Sequence, residues 1–236
     1  MTEKLLRLIE SVGNPEILVI GELILDKYIW GEVGRISPEA PIPILRVTSS
    51  EERLGGAGCV VNNLVTFGAR VACCSVVGND KSGKAMLEKL KELGVDTSGV
   101  YMEDARTTIV KTRMIGFVQS SNRAAQHIMR MDDERTAPPE DATLEKIISY
   151  LKRERDRFDA ILISDYDKGL VCREMIASVI GGADSAPVIV DPRRSGDYSI
   201  YRGVAVITPN RYEAAMASGI DCSTMEGLKE ASAKLR

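Results

Sequence analysis

Carboxylates recur just past the short apolar runs of this chain. Asp26 follows the run that begins at Ile17, Asp80 follows Val71–Val77, and Asp165 follows Ala160–Ser164. Asp191 closes Pro187–Asp191, and Asn210 with Glu213 follows Val204–Thr208. In open α/β sheets ligands bind outside the carboxyl ends of the strands. These residues, with Gly55-Gly56 and Gly78, therefore predict one polar rim. A lone Asp in such a place is commonly a helix N-cap, and Asp80, directly before a helical stretch, is expected to be one. Several carboxylates on one rim repel each other unless they meet hydroxyls, metal ions or cationic groups.

Two other patterns invite chemistry and carry less. Gly78-Asn79-Asp80-Lys81-Ser82-Gly83-Lys84-Ala85 is one residue from a phosphate-binding P-loop, and it lies between a strand and a helix. Ala85 lacks the hydroxyl that would hold magnesium, and Asp80 puts a negative charge where phosphate would sit. Gly181-Gly182-Ala183-Asp184 precedes a strand, at the wrong edge of a sheet for a ligand. His127 is the single histidine, which excludes multi-histidine metal centres, and its alternating surroundings predict a strand-surface position. The five cysteines include no CxxC pair and read as reduced thiols; Cys73 and Cys74 should point to opposite faces of a strand.

The elements that must position the rim alternate strand and helix. Ile17–Ile20, Val71–Val77, Ala160–Ser164, Pro187–Asp191 and Val204–Thr208 read as buried strands. Helices are expected from Gly55 to a Gly68 stop, from about Lys81 to Leu93 with Gly94 as its stop, and around Leu144–Leu151. Met1–Glu10 is expected as a short helix. This alternation predicts βαβ crossovers and a mostly parallel sheet covered on both faces. Segments 28–48 and 107–131 break the rhythm and predict antiparallel strand pairs forming a small lid.

The 236 residues carry 31 basic and 34 acidic side chains, a net charge of −3, with 44% hydrophobic residues. That balance excludes a dedicated nucleic-acid binder, and no apolar run reaches the roughly 18 residues of a membrane helix. A cytoplasmic protein of one α/β domain spanning 1–236 is expected.

In linear order these pieces resemble the ribokinase-like (PfkB) carbohydrate kinases. The carrying residues are Val19–Asp26, Gly55-Gly56-Ala57, Ser164–Gly169, Asp191-Pro192-Arg193 and Thr208–Glu213. The run Gly34-Arg35-Ile36-Ser37-Pro38-Glu39-Ala40-Pro41-Ile42-Pro43 is similar to the branch that phosphorylates heptose 7-phosphate, the kinase half of bacterial ADP-heptose synthases. The resemblance implies a three-layer α/β/α fold with a β-lid that often pairs two subunits, and ATP and Mg2+ as cofactors. It implies phosphoryl transfer to the anomeric hydroxyl of a heptose 7-phosphate, in ADP-heptose biosynthesis for the lipopolysaccharide core. Asp26 would accept hydrogen bonds from sugar hydroxyls, Gly55 and Gly56 would let sugar approach the backbone, and Asp165 would line the sugar pocket. Arg35, Lys111, Arg113 and Lys168 would contact phosphate, a group that favours such cations. Asp191, Asn210 and Glu213 would serve the nucleotide, with Glu213 acting indirectly on magnesium.

Two departures follow. Cys59 stands where the family usually has a sugar-contacting Asn, and a thiol cannot replace an amide's donors and acceptor. The family's catalytic Asp, in a Gly-Ala-Gly-Asp turn, is expected beyond Arg236. These residues alone are then expected to bind sugar weakly, to turn over negligibly and to leave a sheet edge exposed. The alternatives are a non-catalytic sugar-phosphate-binding or dimerisation module and a P-loop NTPase.

Overall fold

The structure, a computed structural model, describes residues 13–118, 125–180 and 185–236. The expected Met1–Glu10 helix and Gly181–Asp184 lie outside the described residues. In chain order the first elements are β1 (Glu16–Gly21), β2 (Leu23–Ile36), β3 (Pro43–Gly56), α1 (Ala57–Thr66), β4 (Arg70–Gly78) and α2 (Lys81–Glu92). There follow β5 (Asp96–Glu103), β6 (Val110–Val118), β7 (Ala125–Asp133), α3 (Asp141–Glu154) and β8 (Ala160–Ser164). The last are α4 (Arg173–Val179), β9 (Val188–Asp191), β10 (Val206–Ile207), α5 (Arg211–Ser218) and α6 (Met225–Leu235).

Six strands form a sheet in the order β10-β9-β8-β1-β4-β5, with every neighbouring pair parallel. Its central strands are apolar at successive positions because helices cover both faces. Leu18, Ile20, Ala72 and Cys74 pack with Ile147 and Leu151 of α3 and Met175 and Ile176 of α4. Val19, Val71, Cys73 and Val77 point the other way, against Val61 of α1 and Met86 and Leu90 of α2. Cys73 and Cys74 thus divide between the two faces, and burial pushes the Cys73 thiol up to about 12. The three-layer α/β/α arrangement is the one the sequence predicts.

The lid is a separate sheet in the order β3-β2-β6-β7. Its two hairpin-like pairs are antiparallel, and β2 joins β6 in parallel. Its strands reach deeper than segments 28–48 and 107–131. The 14-residue β2 leaves the end of β1 after the single residue Glu22, and β3 runs through Gly55 and Gly56 as strand before α1 begins. The edge strand β5 was not expected, because Asp96-Thr97-Ser98-Gly99 shows no apolar alternation. His127 lies exposed on β7.

Candidate active site

The order of the large sheet reverses between β1 and β8. From β1 the chain adds β4 and β5 on one side, and later it adds β8, β9 and β10 on the other. A crevice outside the carboxyl ends of the strands forms at such a reversal. The strand β2 that starts the lid leaves β1 here, and the 165–170 loop leaves β8 beside it.

Glu22 fastens that loop. Its side chain is 4% exposed and accepts the backbone N–H groups of Tyr166 (2.9 Å), Lys168 (3.2 Å) and Leu170 (3.2 Å). Burial raises its pKa, Asp165 nearby adds to the rise, and the Tyr166 amide opposes it. Asp165 faces inward. It accepts the Tyr201 hydroxyl at 2.6 Å and the Asp167 N–H at 2.8 Å, and burial raises its pKa too. It therefore helps hold the loop in place. Asp167, at φ 57°, carries the strain of the turn and is tied to Arg193 at 3.2 Å. The loop that presents Tyr166 and Lys168 is thus fixed from three sides.

Asp26 stands on β2 opposite Arg53 of β3 and Lys111 of β6. Its Oδ1 accepts from the Arg113 guanidinium at 2.6 Å, both side chains being about four-fifths enclosed. Arg113 and Arg53 also approach the Tyr28 ring, at 5.2 and 5.0 Å from its centroid. Gly55 is glycine for Asp26: a Cβ there would meet Oδ2 of Asp26 at 2.5 Å. Gly56, at φ 57°, lets the chain turn into α1 while the Ala57 N–H reaches the Glu22 carbonyl at 2.9 Å. Lys111 reaches Asp132 at 3.1 Å and Glu134 at 3.4 Å, and Lys168 reaches Glu134 at 2.7 Å. Asp26, Lys111, Arg113 and Lys168 accordingly gather where lid and core meet. Tyr166 lies between the lid and β9: burial first, then the charges of Asp191, Cys59 and Asp26, push its hydroxyl pKa up. Cys59 is exposed on the first turn of α1 and faces this space.

Arg35 does not join this group. It lies nine residues beyond Asp26 on β2, about 30 Å away along an extended strand, and it is exposed. At the other end of the rim, Asp191 accepts from the Thr208 hydroxyl at 3.3 Å, and its pKa is raised by burial and then by Glu213. Asn210 and Glu213 form a capping box at the start of α5: Asn210 Oδ1 accepts the Glu213 N–H at 3.0 Å, and Glu213 accepts the Asn210 N–H at 2.9 Å. Glu213 also lies 3.7 Å from Arg194. Among the described residues no group of three or more His, Cys, Asp or Glu could hold a metal ion.

The P-loop-like turn is closed. Asp80 caps α2 by accepting the Gly83 N–H at 2.7 Å and also takes the Thr108 N–H at 2.8 Å. The carboxylate fills the anion position itself and ties α2 to the segment leading into the lid. Glu22, Tyr201 and Glu134 were not among the residues the sequence singled out. Glu22 left a signal, a charge inside an otherwise apolar run.

The fold, the reversal point and the lid over it define a sugar-kinase scaffold, and residues 14–236 match the model of the pfkB family of carbohydrate kinases. The chain belongs to that family. It is 48% identical over 205 residues to the bifunctional protein HldE of Geobacter metallireducens, covering 86% of this chain and 40% of that protein. To HldE of Geobacter sulfurreducens it is 44% identical over 230 residues, covering 97% of this chain and 45% of that protein. The chain thus spans less than half the length of these relatives. Among solved structures, Arabidopsis thaliana ribokinase complexed with ribose and ATP superposes with a TM-score of 0.62 at 17% identity, covering 94% of this chain and 68% of that one. The tetrameric inhibited form of Escherichia coli phosphofructokinase-2 gives 0.69 at 15% identity, covering 94% and 69%.

Proposed function

We propose that this chain supplies the sugar-binding half of an ATP-dependent kinase acting on the anomeric hydroxyl of a heptose 7-phosphate, in the cytoplasm, in a route to ADP-heptose. One observation carries the reading: Asp26, a hydroxyl acceptor, shares its enclosed corner with the cations Arg113, Lys111 and Lys168 beneath a lid. Oδ1 of Asp26 is held by Arg113, which leaves Oδ2, in the space kept open by Gly55, to accept from sugar hydroxyls. The lysines would receive the sugar's phosphate. The lid would exclude water from the transferred group.

ATP would lie toward Asp191, Asn210 and Glu213. Magnesium, which neutralises phosphate charge in such transfers, suits this end: Asp191 and Glu213 are like charges near each other, and Asp191 is held above its usual pKa. Since both Glu213 oxygens already face donors, its contact with the ion would run through water. The general base would come from a Gly-Ala-Gly-Asp turn outside these 236 residues. The lid would also pair two copies, a reading favoured by its exposed Ile36, Val47 and Met129.

Calorimetric titration of the 236 residues with heptose 7-phosphate is expected to show binding, while a coupled assay with ATP shows no turnover. Turnover near the 1–100 s−1 or so of kinases would refute the missing-base reading, and absent binding would refute the sugar reading. A non-catalytic binding module remains favoured by one observation, Cys59 in the place of an amide. It predicts binding without turnover even in a chain that includes the missing turn.

A further inference from the structure

Lys111 and Lys168 come from different layers and meet on one carboxylate. Lys111 stands on β6 as the neighbour of Asp26 across the lid sheet, and Lys168 stands on the core loop that Glu22 pins. Their side chains are 17% and 20% exposed, and Glu134, at 26%, lies between them with Oε1 on Lys168 and Oε2 on Lys111. Lys111 has a second partner in Asp132; for Lys168 Glu134 is the one acceptor among the described residues. Glu134 sits one residue past the end of β7, at the head of a stretch without regular structure that reaches α3. Its position is therefore not fixed by ladder hydrogen bonds. The hydrogen bond from Lys168 and the charge of Lys111 hold its carboxyl below the usual value, so it is ionised near neutral pH.

We propose that Glu134 is an internal stand-in for the phosphate of the substrate, latching lid to core across the site until an incoming phosphate monoester displaces it. The inference rests on the phosphorylated-sugar reading above and deepens it by naming the residue that phosphate must replace. Charge supports the exchange. Lys111, Arg113, Arg130 and Lys168 face Asp26, Asp132 and Glu134, so the cluster carries one net positive charge with Glu134 in place and two once it swings out. A phosphate monoester carries about −1.5 to −2 at pH 7 and offers three acceptor oxygens. It matches the vacated pair of ammonium groups better than a single carboxylate does. An unphosphorylated sugar offers nothing that would compensate the lysines for losing Glu134, so the latch also selects for phosphorylated substrates.

Inorganic phosphate is the probe, read by the rise in melting temperature it causes at constant ionic strength, for the wild type and for Glu134→Gln. The variant keeps the side-chain length but removes the competing charge. Its phosphate affinity is expected to be about five- to tenfold higher, the size of one like-charge repulsion at a partly solvated position. Lys168→Met in the same background should abolish the gain, and Glu134→Ala should reproduce its sign if the amide proves disruptive. A purely structural Glu134 would give the opposite: equal or weaker phosphate binding in both variants, or no phosphate effect in any protein, overturns the proposal. Heptose 7-phosphate and heptose separate this from the wider reading. Binding of heptose 7-phosphate that Glu134→Gln does not tighten defeats the latch alone. A phosphate gain without any heptose 7-phosphate binding defeats the substrate assignment and leaves the latch standing.

Discussion

At the scale of single residues, the site depends on carboxylates whose surroundings differ sharply. Gly55→Ala would drive a methyl group onto Oδ2 of Asp26 and force that carboxylate from its place. The expected outcome is a loss of sugar-phosphate affinity of about tenfold, the worth of one well-placed hydrogen-bonding group, with circular dichroism unchanged; calorimetry measures it. Glu22 gives a pH signature. Its pKa is raised in the folded chain, so the folded state binds more protons than the unfolded state between the usual carboxylate value and the raised one. Its contribution to stability must therefore fall as pH rises through that window. Urea unfolding of the wild type and Glu22→Gln from about pH 4 to 7 should show the difference, wild type minus variant, declining with pH; a constant or rising difference would contradict it. None of this was plain in the chain alone. Glu22 reads there as an interruption of a strand, and its three amide partners lie more than 140 positions away.

At the scale of elements, Asp80 shows one side chain serving two. It caps α2 and tethers Thr108, and although burial works to raise its pKa, the amides of Thr108 and Gly83 outweigh that and lower it. This contribution is present above the usual carboxylate value and is lost as pH falls through the lowered one, the reverse of Glu22. Asp80→Ala is expected to cost about 1–2 kcal/mol, read from denaturant midpoints. Lys84→Ala should leave nucleotide binding intact, whereas a P-loop would lose it. Elements with uniform apolar runs, β1, β4 and β8, were legible because a strand covered on both faces needs such runs. The helix stops at Gly68 and Gly94 were legible too, both glycines having the positive φ their turns require. β5 was not, since its polar start is set by its place at the sheet edge. Arg35 shares the lid segment with Lys111 and Arg113 in the sequence reading, but sequence order hides how far an extended strand carries a side chain.

At the scale of the whole molecule, the large sheet ends at β10, whose two residues pair only with β9 among the described residues. Beside it runs a groove of about 790 Å3, lined in part by Val204, Val206, Ala217, Leu228 and Leu235. An open sheet edge favours association. Sizing of the 236 residues by light scattering is expected to find oligomers or poor recovery. A monodisperse monomer melting at high temperature would speak against this. Lid pairing is separable from it: Val47→Glu should weaken a lid-mediated dimer while leaving the groove untouched. The parallel sheet followed from the alternation of runs and the lid strands from the two breaks in it, but the strand order and the grouping of Lys111, Glu134 and Lys168 depend on how the elements face each other, which no local pattern encodes. The single residue between β1 and β2 makes Glu22 a fulcrum. The lid strand beyond it is an arm of 14 residues, about 45 Å long. A pivot of about 10° at its base would sweep the tip near Arg35 through about 8 Å. The same small pivot would tug the three amides on which Tyr166 and Lys168 hang, so a displacement at the far end of the lid would be felt at the loop that carries these two residues.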